Sequence, residues 1–198
     1  MNDFKYKVDD DGKVTITRYT GAGGDVVVPE FFDGYPVTTI EPYAFLGCTK
    51  LTNITLPNSI TTIEFGAFQV CTGLTSITLP NSITTIRGGA FLGCTSLTSI
   101  TLPNSVTTIG RAAFDGCTKL TSITLPNSIT TISGYAFSGC TGLTSITLPN
   151  TLTTIGSWAF SRCTGLASIN IPEGCSIRDD AFYGCPDLTI TFRRKEAE

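Results

Sequence analysis

Histidine is absent from all 198 residues of the chain. That removes the commonest general base near neutral pH and the commonest metal ligand. Charge is scarce as well: Asp, Glu, Lys and Arg together make up 15% of the residues, where about a quarter is usual. The formal net charge of −3 is too small to steer the chain toward nucleic acid or an anionic membrane. No basic run precedes the closing "RRKEAE". No apolar stretch reaches the roughly 18 residues of a membrane-spanning helix, so no membrane insertion is expected. The opening "MNDFKYKVDDDGK" lacks the apolar centre of a signal peptide, which leaves an intracellular protein and a fragment of a longer one both open. No Cys-x-x-Cys pair occurs among the 8 cysteines, so neither a zinc site nor any other cofactor is expected. No carboxylate, lysine or histidine shares a column with the abundant hydroxyls to activate one. The chain reads as a non-enzyme.

What is present is repetition. "LTSITLPNSITTI" runs from 74 to 86 and recurs letter for letter at 120–132. Near-copies occupy 51–63, 97–109 and 143–155. Phe45, Phe68, Phe91, Phe114, Phe137 and Phe160 recur every 23 residues, and Phe182 follows 22 later. Cys48, Cys71, Cys94, Cys117, Cys140, Cys163 and Cys185 track them three places on. A leucine follows each of these cysteines, from Leu51 to Leu188, and a proline column runs from Pro57 to Pro172. A strict period means that each unit stacks on its neighbour with like residues in register, as in a repeat solenoid.

Within a unit, "SITLP" alternates. Ile77 and Leu79 point inward while Ser76 and Thr78 point outward, which predicts a short strand ended by Pro80. "NSITTI" predicts a second extended stretch with Ile83 and Ile86 inward. The variable, glycine-bearing "RGGAFLGC" and "SGYAFSGC" segments predict short helical or 3₁₀ turns with Ala and Phe inside. At the front, "KYKVDDDGKVTIT" predicts a hairpin whose turn is Asp9-Asp10-Asp11-Gly12; calcium is disfavoured there because the spaced ligands of a calcium loop are missing. The expected organisation is a hairpin cap over 1–28, an array over 29–192 with degenerate first and last units, and a polar tail over 193–198.

The 23-residue unit with its "LTSITLP" strand and "AFSGC" turn resembles the leucine-rich repeats of the BspA-like, or Treponema-type, bacterial class. The entry "VPEFFDGYPVTTIEPYAF" is similar to the way that class begins its arrays. The resemblance covers roughly 26–192 and rests on seven Ala-Phe-x-x-Cys matches in register. It implies a right-handed solenoid with parallel strands. It also implies a cell-surface or secreted location, adhesion to a protein or glycan-bearing surface, and no catalytic residue.

Three sets of residues then compete for a role. The cysteine column places like thiols about 5 Å apart with parallel side-chain directions, which favours a ladder of buried thiols beside the phenylalanines over disulfides. A Cys175–Cys185 bridge stays open. The hydroxyl columns, such as Ser76/Thr78 and Thr84/Thr85, suit a soluble sheet surface; the sharper alternative is a lattice that orders water or ice. The third set is what varies between copies. Tyr43, Phe65, Arg87, Arg111, Tyr135, Trp158 and Arg162 flank the Ala-Phe turns, and Tyr, Trp and Arg are residue types enriched at binding hot spots. Drift on a tolerant loop is the plainer account; a partner-binding edge is the functional one. The asparagine column, Asn58 to Asn150, reads as turn chemistry. The single glycosylation sequon, Asn53-Ile54-Thr55, is a weak signal.

Overall fold

The computed structural model describes residues 3–194. Met1 and Asn2 of the expected cap, and 195–198 of the expected polar tail, lie outside the described residues. The chain is a solenoid of parallel strands. β1 (Phe4–Val8) and β2 (Val14–Tyr19) form an antiparallel hairpin. Its turn is built by Asp9, whose carboxylate accepts the N–H groups of Asp11 and Lys13 at 3.1 and 2.8 Å. β3 (Gly24–Val27) is followed by β4 (Phe31–Phe32) and β5 (Tyr35–Ile40), then β6 (Leu51–Thr55). β2 pairs in parallel with β5, and β3 with β6. From there each turn adds one rung to two parallel columns. One column holds Ser76–Thr78, Ser122–Thr124 and Ser145–Thr147; the other holds Thr62–Ile63, Thr85–Ile86, Thr108–Ile109, Thr131–Ile132 and Thr154–Ile155. Like pairs with like, as in Ser122↔Ser145 and Thr62↔Thr85. The strand columns are not continuous. At Ser99 the first thins to a single bridge, to Ser122.

The Ala-Phe side is continuous, and it is not helical. The sequence predicts helical or 3₁₀ turns there, but the described residues contain none. Each turn instead alternates its hydrogen bonds. In one rung the N–H groups of Ala67, Gln69 and Cys71 close turns onto the carbonyls of Glu64, Gly66 and Phe68, whereas those of Gly66, Phe68 and Val70 reach the next rung at Gly88, Ala90 and Leu92. A helix needs every donor within its own segment. Two left-handed residues per turn force the alternation. One precedes Ala: Tyr43, Gly66, Gly89, Ala112, Tyr135 and Trp158, with φ between 54° and 62°. The other precedes Cys, as in Gly47, Val70, Gly93 and Arg162.

That backbone stacks the phenylalanines. From Phe68 to Phe182 successive ring centroids are 5.3–5.5 Å apart and within 9° of parallel. Tyr19 of β2 closes the stack on Phe45 at 5.3 Å, and Phe4 packs on Tyr19. Phe45 to Phe160 have no exposed surface. At the far end Phe182 is only partly buried, because no further rung among the described residues covers it. Phe114→Ala is therefore expected to destabilise the fold by about 3–5 kcal/mol in urea unfolding, as for a large buried ring. Phe182→Ala is expected to cost about half as much or less, since one face of its ring is uncovered. Equal losses would contradict the uncovered end.

Candidate functional site

The cysteines are interior groups. Cys71, Cys94, Cys117, Cys140 and Cys163 are buried, and each Sγ donates to the carbonyl of the phenylalanine one rung back, as Cys94 does to Phe68 at 3.1 Å. Cys185 does the same toward Phe160 at 3.1 Å. All eight cysteines are thiols, so the Cys175–Cys185 bridge left open by the sequence is not formed. Burial pushes Cys94 and Cys140 up to about 12 and raises Cys117 and Cys163 as well. Cys48 goes the other way. The neighbouring Cys71 thiol and, beyond that, the charge of Arg18 hold it below the ordinary thiol range against partial burial.

Part of the hydroxyl set is committed. Thr75, Thr98, Thr121 and Thr144 each donate to the carbonyl of the matching threonine one rung back, at 2.9–3.3 Å. Thr84, Thr107 and Thr153 repeat the pattern in the second column. Ser82 and Ser105 reach the carbonyls of Ile60 and Ile83. These protons stitch rungs together, while on the outward strand face Ser76 bonds the Asn53 side chain at 3.2 Å.

The residues that vary between copies fall into two groups. Toward the N-terminal end, Tyr43 is exposed with its ring against Gly66. Phe65 lies over Gly88, with Arg87 5.4 Å from its ring centre and paired to Glu64 at 3.1 Å. Toward the C-terminal end a single row forms. The Arg111 guanidinium sits 4.5 Å from the centre of the Tyr135 ring. Tyr135 stacks on Trp158 at 6.0 Å and 9°. Trp158 meets Tyr183 at 4.9 Å and 53°. Arg162 lies outside this row, in the second left-handed column, with its N–H donated to the Tyr183 carbonyl at 2.7 Å. Tyr183 was not among the residues singled out from the sequence. Its position directly after Phe182, in a variable column, is the signal that points to it. It is 57% exposed. Tyr135 and Trp158 meet face to face and are half-buried, while Tyr183 is tilted across the end of the row, which forms a ridge.

Among the described residues no group of three or more His, Cys, Asp or Glu is placed to hold a metal ion. No helix of the described residues is long and apolar enough to cross a membrane.

The thiol column predicts a pH dependence. Buried thiols raised above the ordinary value of 9.0 stabilise the fold below that pH, and the contribution is lost as pH climbs toward the folded values. The loss is about 1.4 kcal/mol per pH unit for each buried thiol. The urea midpoint is expected to stay level from roughly pH 6 to 8 and to fall steeply above about 9. Replacing Cys94, Cys117 and Cys140 by alanine should flatten that fall. A wild-type profile that stays level to about pH 10.5 would contradict the buried-thiol ladder.

A family model described as the BspA type leucine rich repeat region matches in 6 copies, over residues 33–117 and 84–195. Among solved structures, a leucine-rich repeat protein of T. pallidum is 34% identical, with 83% of this chain and 88% of that one covered and a TM-score of 0.68. A leucine-rich repeat protein of Bacteroides ovatus is 30% identical with a TM-score of 0.83. It covers 98% of this chain, which spans 52% of the Bacteroides protein. No curated protein matches.

Proposed function

The chain belongs to the BspA-type leucine-rich repeat family, and from that premise we propose that it is a non-catalytic interaction module whose ridge of Arg111, Tyr135, Trp158 and Tyr183 binds a protein partner. Repeat proteins of this kind generally serve as interaction modules. Adhesion at a cell surface, with a protein or glycan-bearing surface as the target, is the finer part of the same proposal.

One observation carries it: Tyr135 and Trp158 occupy left-handed backbone positions, with φ of 59° in both. Two other rungs satisfy that position with Gly66 and Gly89. A bulky residue held at positive φ costs on the order of 1–3 kcal/mol. Stacking of the rings returns about 0.5–1.5 kcal/mol per pair. With two strained residues and two ring pairs, the strain equals or exceeds the return, so folding alone does not account for large aromatics there. What they add is accessible aromatic and guanidinium surface on a rigid support, the chemistry of a binding hot spot. The near-neutral middle of the solenoid gives little long-range steering, so recognition falls to hydrogen bonds and ring contacts.

The Tyr135→Gly/Trp158→Gly double variant tests this. Its unfolding free energy is expected to stay within about 1 kcal/mol of wild type, because glycine relieves the strain that the lost stacking had offset. A surface-plasmon screen against purified extracellular-matrix and bacterial surface proteins should give the wild type a saturable ligand, and the variant should bind it at least roughly tenfold more weakly. No saturable ligand, or equal binding by both proteins, counts against the ridge.

A further inference from the structure

At the hairpin end the fold leaves a cleft of about 520 Å³, a size usual for small-ligand sites. Three short stretches form it: the end of β2 from Thr17 to Tyr19, the loop Thr20–Gly23, and the first turn from Tyr43 to Leu51. The loop wall is held in place by its glycines. A Cβ on Gly23 would lie 2.5 Å from the Lys50 backbone, and the residue has φ of 95°. Gly24 donates to the Lys50 carbonyl at 2.7 Å, and the Gly23 N–H to the Tyr19 hydroxyl at 3.3 Å. This wall needs no ordering when a ligand arrives.

The lining has one sign of charge. Arg18 and Lys50 both border the cleft, and no carboxylate does. Neither cation is paired with a carboxylate among the described residues. In a chain with a net charge of −3, two cations on one cleft, with the Asp3 carboxylate behind the Gly21 wall and off the lining, mark a place for an anion. The field reaches the cleft wall, since the Arg18 charge is felt by the Cys48 thiol that borders it.

The lining also has a ring and hydroxyls. Tyr43 borders the cleft and is 53% exposed. Its ring also rests on Gly66, which is not part of the cleft. Tyr43 holds φ of 62° in the column where the next two rungs have glycine, and such an outlier calls for a functional reason. Thr17, Thr20 and Thr49 add hydroxyls around it.

We propose that this cleft binds an acidic saccharide, a pyranose carrying a carboxylate, with Arg18 and Lys50 on the carboxylate, Tyr43 against the ring's C–H face and the threonines on its hydroxyls. A bare inorganic anion has no use for the aromatic wall, and a neutral sugar has none for the two cations. The site is separate from the Arg111–Tyr183 ridge, so its failure would leave the ridge reading standing.

The full chain is titrated by calorimetry and by heteronuclear NMR with N-acetylneuraminate, glucuronate, glucose and acetate. One or both carboxylate pyranoses should bind saturably, and comparing those two arms tells sialic from hexuronic acid. Glucose and acetate should bind at least roughly tenfold more weakly, as expected for losing charged or ring contacts. Arg18→Gln/Lys50→Gln should lose binding to a similar degree. Tyr43→Gly should also lose it while keeping wild-type stability, because glycine is already accommodated in that column at Gly66 and Gly89. Bound saccharide should slow alkylation of Cys48 by iodoacetamide. The proposal is overturned by acetate or glucose binding as well as the acids, by a Tyr43→Gly variant that binds like wild type, or by no saturable binding of either acid.

Discussion

The hydrogen bond from each phenylalanine N–H to the alanine carbonyl of the next rung sets the terms for the rest of the molecule. It is 2.8–2.9 Å in every rung from Phe45 to Phe160. The rise it imposes is the rise of a β-ladder, and at that rise rings in the same rotamer can only stack face to face. Alanine must precede phenylalanine because the same column is fully enclosed: Ala67, Ala90, Ala113, Ala136 and Ala159 have no exposed surface. Three places on, the available space suits a thiol, whose S–H finds a carbonyl of the previous rung; a hydroxyl would fill the same bond at a greater cost in desolvation. One backbone contact, repeated, therefore dictates the Ala-Phe-x-x-Cys signature.

The strands are the looser side of this arrangement. The Ser-Ile-Thr column narrows to one bridge at Ser99, whereas the turns keep three bonds per step from Tyr43 to Ser161 and two, from Phe160 and Arg162, in the last step. The threonine and serine hydroxyls that bond one rung back compensate on the strand side. Regular hydroxyl residues there are thus part of the cohesion between rungs, and a uniform surface is its by-product.

The solenoid, its period and its inward residues were legible in the sequence because every rung repeats the same one-dimensional constraint, so Phe, Cys, Leu and Ile columns can be read without any tertiary information. The turn conformation was not. "SGYAFSGC" carries small residues and an inner Ala-Phe pair that fit a helical turn, and only the bonds to the neighbouring rung reveal that the residue before Ala is left-handed. The variable residues were also legible as a set, but not their grouping. Tyr135 and Trp158 lie one period apart and so must be neighbours; Tyr183 joins them at the last, shortened rung, where periodic counting fails. The cleft was beyond reach, since it joins the end of β2 to the first turn through a contact that belongs to no repeat.

A solenoid built this way separates stability from display. Each rung touches only its neighbours, so strain at one turn is opposed locally by two or three inter-rung backbone bonds and a stacked ring rather than spread through a common core. Buried phenylalanines supply several kcal/mol per rung. The left-handed column holds one residue in a conformation costing on the order of 1–3 kcal/mol unless it is glycine. The margin between these terms lets Tyr43, Tyr135 and Trp158 replace glycine without unseating the rung. The same left-handed geometry sends their side chains outward, where neighbouring copies align them. The repeated residues fix the backbone, and the backbone determines which positions are left to carry recognition.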